Sequence, residues 1–152
     1  MQDRHGSKPT SLAGYLEAMS QAIFTAGINW KVVHSKWEGI REAFAGFDVQ
    51  AVAEFTPADV DRLAGDTRVI RNRAKIEAII DNAAKLLELE ATPGGFAGYL
   101  STRGDFKATV ADLRRNFRFL GETTAYFFLA MVGEPVPPPE ECGPGHGRAK
   151  GS

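Results

Sequence analysis

From Leu12 to Val132 the apolar residues recur at spacings of three and four and nowhere alternate strictly, so every segment can bury one face as a helix and none needs a strand. An all-α fold, a compact helical bundle, is therefore expected. Leu12, Tyr15, Leu16, Met19 and Ile23 form the first stripe, which stops near Ala26-Gly27, where glycine tolerates the backbone that ends a helix. Val33, Trp37, Ile40 and Phe44 form the second, closing at Gly46, and this register puts Trp37 in the core. Asp48 offers a cap for a short turn carrying Val49 and Val52. Thr56-Pro57-Ala58-Asp59 reads as another start, with threonine as cap, proline at the first helical position and an acid in the first turn. Ile76, Ile79, Ile80, Ala83 and Leu87 mark a long helix from about Arg73 to Glu90, ended by Thr92-Pro93-Gly94-Gly95. Phe96, Tyr99 and Leu100 belong to a short helix, and Phe106, Val110, Leu113 and Phe117 stripe the next. Ala125, Phe128, Leu129 and Val132 lie on a last helix so apolar that it is expected at the centre of the core.

After Gly133 the composition changes to EPVPPPEECGPGHGRAKGS, where proline removes donors and fixes φ. The chain is thus read as a flexible N-terminus at 1–10, a helical domain at 11–141 with a hairpin at 117–125, and a disordered tail at 142–152. A single cysteine, Cys142, allows no internal disulfide, and three scattered histidines have no zinc-ligand spacing, so neither metal nor cofactor is expected. The first ten residues lack the apolar run of a signal peptide, and no window reaches the roughly eighteen apolar residues that span a bilayer. A cytoplasmic protein without a membrane partner, and a monomer, is the expectation. The net charge of −1 hides clustering. Asp48 to Asp66 holds five acids and one arginine, whereas Arg103 to Arg118 holds five bases against Asp105 and Asp112. Arg68, Arg71, Arg73 and Lys75 have no acid among them, an unfavourable placement at a helix start. Phosphate contact or buried pairing with acids of the 48–66 segment each accounts for it, and pairing is preferred for Arg71 and Arg73. Asn72 is read as satisfying the local turn.

The segment Phe117-Arg118-Phe119-Leu120-Gly121-Glu122-Thr123-Thr124-Ala125 runs an apolar approach into a glycine and then a helix. Glycine there is read as turning the backbone tightly and leaving the next helix's first N–H groups outward, partly positive and suited to a phosphate. Leu120, Gly121, Thr123, Thr124 and Arg118 are the candidate contacts to a DNA backbone in such a helix-hairpin-helix. An ordinary helix connection with solvated arginines is the competing reading of this segment alone.

Three further blocks precede it in order: Ala26-Gly27-Ile28-Asn29-Trp30, Phe44 through Asp48, and Ile70-Arg71-Asn72-Arg73-Ala74-Lys75-Ile76 continuing through Ala78-Ile79-Ile80-Asp81-Asn82-Ala83. Together the four blocks resemble the DNA-3-methyladenine glycosylase I family of the helix-hairpin-helix DNA glycosylase superfamily, over roughly residues 15 to 133. The resemblance implies that family's helical fold and a monofunctional enzyme of base-excision repair, acting on alkylated purines in double-stranded DNA, to which it would localise at the nucleoid. Such an enzyme flips its target nucleotide out and stacks the base on an aromatic ring. Trp30 matches the family's stacking tryptophan; a core role is its alternative. An N3-alkylated adenine is cationic, so an indole face attracts it by about 0.5 to 2 kcal/mol beyond stacking.

The chain departs from the family at definite points. The glutamate expected eight residues before the tryptophan is Ala22, with Gln21 beside it, which predicts a neutral pocket lined by Gln21, Ala22, Asn29 and Trp30. Gln21 either hydrogen-bonds a base edge or is a surface side chain. The family's zinc ligands are not matched, since no cysteine precedes Cys142, and Cys142 and His146 are read as tail residues. In the wider superfamily a glycine- and proline-rich loop ends in a catalytic aspartate. Here Gly133-Glu134-Pro135-Val136-Pro137-Pro138-Pro139 leads to Glu140 and Glu141, making Glu140 the candidate catalytic carboxylate. A non-catalytic DNA-binding module that kept the hairpin is the rival function, and an α-helical interaction protein a third.

Overall fold

A computed structural model describes residues 8–102 and 104–138 of the chain. All regular structure among these residues is helical: α1 (Leu12–Thr25), α2 (Trp30–Ala43), α3 (Val49–Ala53), α4 (Pro57–Ala64), α5 (Arg73–Glu90), α6 (Gly95–Ser101), α7 (Phe106–Asn116) and α8 (Glu122–Met131). A 3-10 turn, Ala45–Phe47, joins α2 to α3. The all-α expectation holds, and α5 begins and ends where its apolar stripe predicts. Ser11, Asn29, Asp48, Thr56, Asn72 and Asp105 each accept a backbone N–H at the start of their helix. Each such cap stabilises by about 0.5–2 kcal/mol. Only α6 and α8 lack one, and at α6 the carboxylate of Glu90 accepts from the Phe96 N–H at 2.9 Å instead.

The long helix α5 is the central post. It packs against α1, α3, α4 and α6, and Ile76, Ile79, Ala83 and Leu86 on it are fully buried. Phe44 and Phe47 stack at 5.3 Å, Phe47 and Trp37 at 5.5 Å, each pair adding about 0.5–1.5 kcal/mol to its burial. To place Phe47 there, Ala45, Gly46 and Phe47 all take positive φ, 57°, 67° and 60°. The left-handed backbone costs roughly 1–2 kcal/mol per non-glycine residue, which burial of the whole Phe47 ring offsets. Trp37 is core, as expected. Its Nε1 donates to Glu17 Oε2 at 2.8 Å, and Arg41 donates to the same oxygen from Nε and from a terminal nitrogen, at 2.9 and 2.7 Å.

Ala125, Phe128, Leu129 and Val132 of the last stripe are all buried, as expected. The helix α8 buries Ala125, Phe128 and Leu129 but leaves Phe127 on the surface, so it covers the core along one edge and borders solvent along another. Four consecutive apolar residues cannot all face one side at 100° per residue. The pairing expected for Arg73 exists, to Asp61 at 2.7 Å, but both partners are exposed, and Arg71 has no ion pair among the described residues. The basic side chain that is buried from that block is Lys75.

Arg68 holds Asp66, donating from its guanidinium at 2.7 Å and its backbone N–H at 2.9 Å. These bonds favour the carboxylate and lower its pKa from 3.8 to about 2. Because the folded value is depressed, this stabilisation is present above the ordinary carboxylate range and is lost as pH falls toward 2. The Asp66 carboxyl is accordingly expected to titrate near 2 by NMR, and Asp66→Asn to lower stability at neutral pH but not at the acid end.

Candidate functional site

The end of α1 and the start of α2 are joined by a short turn whose geometry follows from three residues. Gly27 takes φ 81°, which glycine adopts without strain. Asn29 caps α2, its Oδ1 accepting the Lys31 N–H at 2.8 Å, so its side chain is committed to the helix. Lys75 Nζ reaches across from α5 and donates to the Ala26 carbonyl at 2.9 Å. Burial lowers the pKa of that ammonium, and the carbonyl is its hydrogen-bond partner. The turn is thereby tied to the central helix, and Trp30 becomes the first residue of α2. Its ring stands 60% exposed, edge-on to His34 at 5.8 Å.

Trp30 overlooks a cavity of about 450 Å³ between α1, α2 and α8, lined by Gln21, Ala22, Thr25, Ala26, Gly27, Trp30, Thr123, Thr124, Phe127 and Met131. The volume is in the range of small-molecule sites. Among the described residues no ionisable side chain lines it. Glu17 is spent on Trp37 and Arg41, and Glu38 pairs with Arg41 at 3.2 Å. Gln21, Ala22 and Trp30 are thus brought together, while Asn29 lies beside them without joining the lining. Thr25, Phe127 and Met131 were not anticipated; Phe127 was legible as a position off the i, i+3, i+4 face of α8. A cavity of similar size, about 460 Å³, lies between α6, α7 and Pro135-Val136-Pro137, but Glu134 there is paired with Lys8.

The second part of the site is the α7–α8 connection. The tight turn is made by Phe119 at φ 61°, whereas Gly121 sits at φ −70°, a backbone open to any residue. The glycine's importance is steric: a Cβ built on it meets nothing within 4 Å, so the space in front of α8 is open. No side chain among the described residues accepts from the N–H groups of Glu122, Thr123 and Thr124. An oxyanion fits there, at the positive end of a ten-residue helix. The hairpin is held from behind by Asn82 of α5, buried at 1% exposure. Its Oδ1 accepts the Arg118 N–H at 2.8 Å, and its Nδ2 donates to the Arg118 carbonyl at 3.1 Å. The Arg118 guanidinium lies at the surface, 2.7 Å from Asp81, whereas Leu120 is 1% exposed and packs into the core, so it offers a ligand almost no surface.

Among the described residues no group of three or more His, Cys, Asp or Glu side chains could hold a metal ion. The described residues therefore do not fit a zinc centre, and no step is assigned to one. Glu140, Cys142 and His146 lie outside the described residues, as do most of the expected terminal segments.

Residues 6–114 match the model of the methyladenine glycosylase family. The chain is 33% identical to the DNA-3-methyladenine glycosylase of Haemophilus influenzae, over 71% of this chain and 70% of that one. To DNA-3-methyladenine glycosylase 1 of Escherichia coli it is 32% identical, over 71% and 69% respectively. The structure is similar to 3-methyladenine DNA glycosylase I of Staphylococcus aureus with a TM-score of 0.75 at 26% identity, covering 85% of this chain and 80% of that one. With the family's pattern spanning most of the chain and the fold reproduced in a solved relative, this chain belongs to the methyladenine glycosylase family.

Proposed function

We propose that the protein is a base-excision DNA glycosylase that hydrolyses the N-glycosidic bond of alkylated purines of the 3-methyladenine type after flipping the damaged nucleotide from double-stranded DNA. The observation that carries this reading is one of proximity. Thr123 and Thr124 belong at once to the cavity wall and to the free N-terminus of α8, so a flipped base can lie against Trp30 while a neighbouring phosphate lies on the helix end.

Trp30 stacks on the base, and Gln21 and Thr25 supply hydrogen-bonding groups at its edge. The Gly121 opening admits a phosphate oxygen to the N–H groups, and Arg118 adds charge beside it. A cationic alkylated purine is already a good leaving group, so a pocket without an acid suffices for its departure. The sugar then carries the developing positive charge. Glu140 is the carboxylate assigned to support that charge or to position water. The absence of a spanning helix among the described residues accords with work on DNA, and we place the enzyme in the cytoplasm, on the nucleoid when bound, as a monomer.

The direct test is release of 3-methyladenine, 7-methylguanine or hypoxanthine from duplex DNA, read as abasic sites. Binding without release of any of them would make the protein a DNA-binding module. Release by Glu140→Gln at the wild-type rate removes Glu140 from the mechanism. Gly121→Val separates the hairpin's two roles. The substitution costs at most about 1 kcal/mol in capping. It is expected to weaken duplex binding about tenfold or more, the worth of one charge-assisted hydrogen bond. Unchanged affinity, measured by fluorescence anisotropy, would remove the phosphate from the hairpin.

A further inference from the structure

Two features of the cavity have no part in stacking one face of a base on Trp30. The first is Phe127. It is 55% exposed on a helix whose core face is made by Ala125, Phe128 and Leu129. Among the described residues only Trp30, Val32 and Phe119 are comparably large, apolar and open. Two of these four, Trp30 and Phe127, border the same cavity from different helices, and Met131, one turn beyond Phe127, extends the α8 wall. An apolar ring kept in water forgoes its burial unless something covers it. The ring contacts of Trp30 and Phe127 are with His34 and Tyr126, not with each other, so the space between the two walls is open to a guest. The second feature is charge. Among the described residues no carboxylate lines the cavity, and the polar side chains there are the Gln21 amide and the hydroxyls of Thr25, Thr123 and Thr124.

A neutral pocket can still prefer a cation, because the face of an aromatic ring is the negative pole of its quadrupole. Two such walls around one guest act together, as in aromatic cages for quaternary ammonium groups. We propose that Phe127 is a specificity-determining residue of the base pocket: its ring, with that of Trp30, supplies the π surface that favours a cationic purine over a neutral one of the same shape. The proposal rests on the base-pocket reading and adds to it the residue that discriminates.

The test uses a matched pair of nucleosides, 7-methylguanosine held cationic at mildly acidic pH and guanosine, neutral and nearly the same shape. Binding of each to the full-length protein is followed by quenching of tryptophan fluorescence. The wild type is expected to prefer 7-methylguanosine. Phe127→Leu keeps the apolar bulk but loses the π face and is expected to cut the preference about threefold to tenfold. Phe127→Tyr restores it. A purely structural role for the ring would move both affinities together and leave their ratio unchanged. An unaltered ratio in Phe127→Leu overturns the proposal, as does equal affinity of the wild type for the two nucleosides, including none for either. Failure of the glycosylase reading shows separately, as no base release by the wild type from a methylated duplex in an assay that involves no nucleoside binding.

Discussion

Trp30→Ala is expected to lower single-turnover release of 3-methyladenine from duplex DNA by about ten- to a hundredfold, because base–aromatic stacking is worth roughly 1–3 kcal/mol. The same substitution leaves the fold alone. The indole is 60% exposed and its ring contact is with His34, itself exposed, so little buried surface is removed. A change in unfolding free energy within about 0.5 kcal/mol is expected. Loss of rate with retention of stability is the signature of a residue kept for its ligand. Release at the wild-type rate would show that the base is not stacked on Trp30. Duplex affinity at the hairpin should change less than the rate, since phosphate contacts are made by separate groups.

The second large effect is expected at Asn82, which touches no ligand. Asn82→Ala leaves the Arg118 N–H and carbonyl without their partners inside the protein and should cost about 2–4 kcal/mol, measured by urea denaturation. Asn82→Asp discriminates between the two bonds. A carboxylate still accepts the N–H but sets a second oxygen against the Arg118 carbonyl, with a buried charge added. Destabilisation is therefore expected to be greatest at neutral pH and to shrink on acidification, when the protonated form donates as the amide did. Asn82 is a positioning residue, so DNA binding should weaken and its salt slope flatten in both variants, while nucleoside binding at Trp30 persists. If duplex affinity and salt slope were unchanged in a folded Asn82→Ala protein, the hairpin would not be the DNA contact.

Much of this was legible from residue order, and the exceptions have identifiable causes. The stripes, the Thr56-Pro57-Ala58-Asp59 start and the cap at Asp48 are short-range signals, and the helices formed where these signals lie. Gly121 does not make the tight turn expected of it. The positive φ belongs to Phe119, and the glycine matters for the space it leaves. The stripe of Ala125, Phe128, Leu129 and Val132 leaves Phe127 off the buried face of α8 but carries no indication of what that ring borders, and packing made it part of the pocket. The basic block read as one feature divides into three fates: Arg68 in a local pair with Asp66, Arg73 in a surface pair with Asp61, and Lys75 buried as a tether for the turn before Trp30.

The order of residues by itself determined the helical class, nearly every helix start, the family pattern and the neutrality of the pocket at Ala22, because periodicity, capping and residue identity are local properties. The tertiary structure decided which side chains meet. It set Trp30 and Phe127 across one cavity, withdrew Glu17 into a bond with Trp37, and brought Asn82 to a hairpin 36 residues away. Those outcomes depend on which face each helix buries against α5 and on how the turns between helices aim them. Packing of the whole core selects among such arrangements, and no short stretch of sequence contains that choice.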